Sequence, residues 1–157
     1  MRDAEAWPQA GAADVVRERP AETPDVTRDV RTFTMAIRTR SFTFLRAWSI
    51  GRDAAALQAL DTIEDDSGGT WTVERLADAR ARFGEEHGTL RLDPEGRNRR
   101  HTYVEPSRDG ATWRVQQMLV DSEGLNDWVA ELEVDLAASR KTAEPVIQLL
   151  RLDSLVP

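Results

Sequence analysis

Hydrophobic residues follow a helical period in the first half of the chain. Between residues 30 and 48 they recur at intervals near 3.6, which predicts an amphipathic helix. The residues of this apolar stripe are Val30, Phe33, Ile37, Phe44 and Trp48. Asp25 or Thr27 can cap the start of this helix by accepting hydrogen bonds from its free N–H groups. Gly51 can end it, because glycine adopts the left-handed conformation that terminates many helices.

Two shorter helical segments follow in the sequence. The first is predicted to start with Asp53 as its cap and to run to Ile63. The second is predicted to begin after Thr72, whose hydroxyl can cap it, and to end at Gly84 or Gly88. Its acidic residues come early and its arginines late, which suits the helix dipole. The first half of the domain is therefore predicted to be helical.

From Thr89 the period changes from 3.6 to 2, which indicates β-strands. The predicted strands are residues 89–92, 101–105, 112–121, 127–139 and 145–156. In the fourth strand, alternate apolar residues from Trp128 to Leu136 share one face, and Glu131, Glu133 and Asp135 share the other. One face of the sheet is thus core and the other is solvated, as in an antiparallel sheet covered by helices on one side.

This order of elements predicts the α+β class. We expect three N-terminal helices packed on a three- to five-stranded antiparallel sheet, in a single domain over residues 26–157. Residues 1–25 contain Pro8, Pro20 and Pro24 and no sustained periodicity, so they are predicted to be a disordered tail or linker. A chain of 157 residues can bury an adequate core without covalent cross-links. The absence of cysteine excludes disulfides and thiolate metal sites.

Arginine is concentrated in two segments of a chain whose net charge is −7. One segment is the first predicted helix, and the other is residues 91–108, which include the run "DPEGRNRRH". Guanidinium groups match phosphate oxygens, so five arginines are candidates for nucleic-acid contacts. They are Arg38, Arg40, Arg97, Arg99 and Arg100. The alternative is that these arginines are solvated, since the acidic balance disfavours indiscriminate phosphate binding and the loop has no aromatic residue to stack bases.

Candidate residues for chemistry are few. His101 and Tyr103 lie on a predicted strand and are candidates for a small pocket. His87 and His101 each lie near acidic residues, but their spacing matches no metal motif. The sequence has no phosphate-binding loop, because its only lysine, Lys141, lies outside any glycine-rich run. We therefore predict no catalytic residue, no metal and no cofactor.

Three longer segments carry a family pattern: residues 28–61, 71–101 and 113–139. The most specific element is a hairpin in which Asp121, Gly124, Asp127 and Trp128 precede "AELEVDLAAS". Together these segments resemble the domain of unknown function at the C-terminal end of actinobacterial DEAD/DEAH-box helicases. In that family a histidine often precedes the Asp-Trp pair, whereas this chain has Asn126. Any role that depends on that imidazole does not carry over.

The resemblance implies a non-catalytic accessory or interaction domain. The ATPase chemistry of such helicases lies in recA-like domains, which this sequence does not contain. The expected partners are a helicase motor or another protein, together with weak contact to RNA or DNA. No membrane partner is expected, since no apolar run approaches the roughly 20 residues that span a bilayer, and a cytoplasmic location is the expectation.

Two other functions remain open. Helices followed by a curved sheet also resemble the cone-shaped nuclear transport factor 2-like fold, which implies a small-molecule-binding or catalytic protein with a pocket between sheet and helices. A dimerising module that uses the outer sheet face is the third reading, although Glu131, Glu133 and Asp135 argue against a dry interface there. Proximity of Arg38 and Arg40 to the Arg97–Arg100 segment would favour nucleic-acid binding.

Overall fold

A computed structural model of the protein describes residues 25–156. Its helices are α1 (Val30–Ser49), α2 (Asp53–Gln58), α3 (Val73–His87) and α4 (Leu136–Thr142). Its strands are β1 (Thr102–Pro106), β2 (Thr112–Leu119), β3 (Trp128–Asp135) and β4 (Ile147–Ser154), with a 3₁₀ turn at Arg99–His101 before β1. The predicted disordered tail, residues 1–25, lies outside the described residues except for Asp25. None of the helices in the described range is long and apolar enough to cross a membrane.

The helix ends follow the capping chemistry of the sequence. Helix α1 is capped by Asp29, whose carboxylate accepts from the Thr32 N–H at 3.1 Å. Asp25, one of the two predicted caps, instead accepts from the Thr27 N–H at 2.9 Å, so the predicted start was a few residues early. Helix α3 begins at its predicted cap, since the Thr72 hydroxyl accepts from the Arg75 N–H at 3.1 Å.

Glycine ends both long helices. Gly51 follows α1 with a φ of 81°, and Gly88 follows α3 with a φ of 72°. Backbone in this region is strained for residues that carry a Cβ, so glycine stops the helix at little cost. The predicted end of α1 at Gly51 is confirmed. Of the two ends predicted for α3, Gly84 and Gly88, the structure shows Gly88.

The four strands form one antiparallel sheet in the order β1-β2-β3-β4. Trp113 of β2 pairs with Val134 of β3, and Leu132 of β3 pairs with Leu149 of β4. A register shift between Glu131 and Leu132 marks a bulge against β4. The strands follow one another in sequence as a meander, with α4 inserted before the last strand. The α+β class and an antiparallel sheet of three to five strands are as predicted.

An aromatic layer joins the helices to the inner face of the sheet. Phe33 of α1 meets Trp113 of β2 edge-on, with ring centroids 5.3 Å apart. Phe83 of α3 lies 5.9 Å from the Trp48 ring of α1 and 5.3 Å from the Trp128 ring of β3. Phe33, Trp48 and Trp128 are buried in this layer, so these contacts confirm the core positions that the sequence pattern predicted.

Three further predicted boundaries were wrong for identifiable reasons. The strand predicted at residues 89–92 is a single bridge between Leu90 and Asp121, because the chain turns at Asp93. The strand predicted to reach residue 139 ends at Asp135, whose carboxylate caps α4 through the Ala138 N–H. Helix α2 ends at Gln58, because residues beyond it turn to pair with β4.

The side chain of Phe83 joins α1, α3 and β3 and should dominate the stability of the domain. We expect Phe83→Ala to lower the free energy of unfolding by about 3–5 kcal/mol, because it leaves a cavity between two tryptophans. Val73→Ala, on an exposed position of the same helix, is the control and should change it by about 0.5 kcal/mol or less. Urea denaturation followed by tryptophan fluorescence measures both, and equal losses would contradict this view of the core.

Candidate functional site

A cleft on the outer side of α1 brings together arginines from two distant segments of the chain. Its volume is about 320 Å³, and it lies between α1 and the loop that precedes the 3₁₀ turn. We call it the arginine cleft. It is lined by Met35, Arg38, Thr39, Phe42, Thr43, Arg46 and Arg97. Three of these seven residues are arginines and none is acidic.

The helical period places the α1 residues of the cleft on one side. Met35, Arg38, Phe42 and Arg46 are spaced by three or four residues, so their side chains emerge one above another. The apolar stripe of α1 faces the sheet, and these side chains emerge beside it. The phenyl ring of Phe42 is half-buried and packs against the core, with the Arg38 guanidinium 5.4 Å from its centroid.

Arg38 fixes the opposite wall of the cleft. Its Nε donates to the Thr102 hydroxyl of β1 at 3.2 Å, and its guanidinium also donates to the main-chain carbonyl of Arg97. The Arg97 side chain donates back to the Leu92 carbonyl at 2.7 Å. Gly96 permits this close packing, since a Cβ there would collide with the Arg91 carbonyl. The loop therefore presents Arg97 towards α1.

Like charges are close together in this cleft. Burial lowers the pKa of Arg38, and the neighbouring guanidinium groups of Arg99 and Arg97 lower it further. Within residues 25–156 no acidic side chain lies at ion-pair distance from Arg38, Arg46, Arg97 or Arg99. An anion in the cleft would offset this repulsion, which makes the site chemically suited to phosphate.

The other two candidate arginines lie elsewhere or are paired. Arg40 is two positions from Arg38, which at 100° per residue puts it about 160° around the helix. Its guanidinium binds Asp61 at 2.9 Å and the carbonyl of Pro145 at 2.9 Å, so it joins α1 to the segments beside β4. Arg100 forms an ion pair with Glu95. The structure thus brings Arg38, Arg97 and Arg99 together but leaves Arg40 outside the cleft.

His101 and Tyr103 do not face a common space. His101 is buried, and burial together with the charge of Arg100 lowers the pKa of its imidazole. Tyr103 is 55% exposed and pairs with Gln116, on the sheet face turned away from the helices. Within β1, Thr102 and Val104 turn towards the helices and Tyr103 turns away. His101 departs from this alternation because it lies in the 3₁₀ turn before the strand. Within the described part of the chain, these two candidate pocket residues therefore point in different directions.

The outer face of the sheet is a ladder of charges. Glu131 accepts from Arg114 at 3.2 Å and lies 3.5 Å from the Nε of Arg151, so it is shared by strands β2 and β4. Glu133 lies 3.8 Å from Arg114, and Asp135 is used as the cap of α4. This face is polar, as predicted, and most of its charges are matched within the domain.

A second cluster, at the end of α3, was not predicted. Nδ1 of His87 lies 2.7 Å from the carboxylate of Asp121, and its Nε2 lies 2.6 Å from Asp127. The imidazole is 5% exposed. Asp121 also accepts from the N–H groups of Glu123 and Leu125, and the indole of Trp128 donates to Glu86 at 2.9 Å. This His87–Asp121 clasp ties α3 to the loop between β2 and β3.

The clasp has the character of a structural contact. Nδ1 of His87 is hydrogen-bonded to Asp121, and Nε2 is buried beside Asp127 without a hydrogen-bond partner in the described residues, so a substrate reaches neither ring nitrogen. No group of three or more metal-ligating side chains occurs within the described part of the chain. No sequence pattern pairs His87 with Asp121, because the two residues are 34 positions apart.

The fold and the site together define an α+β domain with a four-stranded antiparallel meander, helices on one face and an acid-free arginine cleft. The chain belongs to the family described as "Domain of unknown function (DUF3516)", whose model matches residues 2–152. No curated protein and no solved structure matches the chain. Family membership thus agrees with the predicted domain of unknown function.

The clasp should make the domain sensitive to acid. Burial raises the pKa of Asp121, but hydrogen bonds from His87 and from the Leu125 and Glu123 N–H groups outweigh it and leave the pKa below its ordinary value of 3.8. The Asp121 contribution to stability is therefore present above about pH 4 and is lost as the pH falls through the lowered pKa of the folded state.

We expect Asp121→Asn to be less stable than the unmodified chain at pH 7 and to lose less stability on acidification to pH 3. Urea unfolding midpoints at both pH values measure this difference. Asp78→Asn, at an exposed position of α3, is the matched control and should follow the unmodified chain. An identical acid response of the Asp121 variant and the unmodified chain would refute the role given to this carboxylate.

Proposed function

We propose that the chain is a non-catalytic accessory domain, of the kind found at the C-terminal end of DEAD/DEAH-box helicases, that holds nucleic acid by its phosphates in the arginine cleft. The observation that carries this proposal is the convergence of arginines from two distant segments on one acid-free surface. Most other arginines in the described range have an acidic partner, such as Arg80 with Asp53 and Arg82 with Asp153.

The chemistry of the cleft supports binding and not catalysis. Its polar groups are guanidinium and hydroxyl groups, and neither loses a proton readily near neutral pH. The acidic balance of the whole chain opposes long-range attraction of a polyanion. We therefore expect weak, salt-sensitive binding that adds to the grip of a partner such as a helicase motor, and no turnover by this domain.

The small-molecule alternative has less support. A cone-fold pocket requires free space between the sheet and the helices. On the inner face of β2, the side chains of Trp113, Val115 and Leu119 are buried in the core. Gln117, between them, is also buried and accepts from the Thr102 hydroxyl at 2.5 Å. The candidate pocket residue Tyr103 points away from this space.

Removal of positive charge at Arg46, which lines the cleft, and at Arg99, whose charge acts on Arg38 beside it, should weaken binding to nucleic acid. We expect the double variant Arg46→Glu and Arg99→Glu to bind a fluorescently labelled RNA or DNA oligonucleotide at least about tenfold less tightly at 50 mM salt. Neither side chain makes a hydrogen bond within residues 25–156, so the fold should be unaffected. The slope of log affinity against log salt should fall by about 1.5–2. Fluorescence anisotropy titrations over a salt series measure both quantities.

The matched control is the double variant Arg52→Glu and Arg108→Glu, at two exposed positions outside the cleft that also lack an ion pair in the described range. It makes the same change in net charge. An equal loss of affinity in both double variants would show that only net charge matters. Absence of binding by the unmodified domain at tens of micromolar would overturn the proposed function.

A further inference from the structure

We infer that the arginine cleft takes a single nucleic-acid strand, with phosphates along the α1 arginines and bases against Met35 and Phe42. This inference rests on the proposed function and deepens it by naming the class of ligand. It follows from the order of side chains along α1, from the wall that flanks them, and from the exposure of apolar groups between the arginines.

Basic and apolar side chains alternate along one line of α1. Arg31, Met35, Arg38, Phe42 and Arg46 follow one another at successive turns of the helix. At 100° per residue all five fall within a sector of about 80°. Single-strand binding surfaces combine a positive track for the backbone with aromatic or apolar side chains for the bases. The line on α1 has both components in the required alternation.

The apolar members of the line are accessible. Met35 is 58% exposed, although it lies one turn from the buried core of α1. Phe42 lines the cleft with one part of its ring, and the Arg38 guanidinium lies 5.4 Å from the ring centroid. A base can stack on an aromatic face or on a guanidinium plane, and Met can pack against either kind of base. A duplex hides its base faces and would gain nothing from these groups.

The second wall of the cleft disfavours a duplex. A helix with its side chains is about 10–12 Å wide, and the major groove of B-DNA is about 12 Å wide, so only an unobstructed helix can enter it. Helix α1 is backed by the sheet and flanked by the loop that carries Arg97. Helix α1 is therefore not free on all sides to enter a groove, and the space beside it is a channel that fits a single nucleic-acid strand.

The length of the line predicts a short binding site. Arg31 and Arg46 are 15 residues apart, which corresponds to about 22 Å along the helix axis. Modules that bind single strands cover about 4–16 nucleotides. A site of this length belongs at the lower end of that range, which agrees with the weak affinity expected for the isolated domain.

The test compares four labelled 12-mers by fluorescence anisotropy: single-stranded RNA, single-stranded DNA, the corresponding duplex, and an abasic single strand. We expect both base-bearing single strands to bind at least about fivefold more tightly than the duplex or the abasic strand. Met35→Ser and Phe42→Leu should each weaken single-strand binding about threefold or more and leave the abasic strand unaffected. Ile63→Ser, at an exposed apolar position outside the cleft, is the control and should change nothing.

Two results separate this inference from the proposed function. Equal binding of all four 12-mers, still weakened by Arg46→Glu with Arg99→Glu, would overturn the single-strand inference and leave the phosphate-binding function intact. Failure of every 12-mer to bind would overturn both. Tighter binding of the duplex than of either single strand would also reject the inference, because it would mean that the base faces exposed in a single strand add nothing to binding.

Discussion

The burial of one face of α1 against the sheet sets the direction of every functional side chain on that helix. Edge-on contacts between Phe33 and Trp113, and between Phe83 and its two tryptophan neighbours, hold α1 and α3 on the inner face of the sheet. With the apolar stripe pinned there, Arg38 emerges on one flank of α1 and Arg40 on the other. Arg38 then lines an open cleft, whereas Arg40 binds Asp61 and Pro145 and so holds the segments beside β4.

Two sets of polar side-chain contacts hold loops that lie outside the hydrophobic core. Arg38 joins α1 to β1 and to the loop with Arg97, so the same side chain builds the cleft and contributes its charge. The His87–Asp121 clasp does a similar task at the end of α3, where it holds the loop between β2 and β3. Both sets of contacts are hydrogen-bonded and partly buried, where such contacts are stronger than on an open surface. The cleft is thus presented by a fixed scaffold.

Much of the fold could be predicted because local signals agreed with it. The cap at Thr72, the stop at Gly51 and the alternation from Trp128 to Val134 each depend on neighbouring residues. Helix α4 was not predicted, because Leu136 continues the strand alternation. Asp135 before Leu136, Ala137 and Ala138 is nevertheless a capping signal for a helix. For the site, the helical period alone separates Arg38 from Arg40. The helical period does not predict which of the two arginines contacts the loop that carries Arg97.

The sequence by itself determined the α+β class, the amphipathic division of α1 and the alternation of arginines with Met35 and Phe42, because these depend on residue order and helical period. The tertiary structure decided which of these features share a surface. Arg38 and the Arg97 carbonyl are 59 residues apart, and His87 and Asp121 are 34 apart. No local pattern encodes such contacts, since they exist only after the helices have packed on the sheet and brought the intervening loops into place.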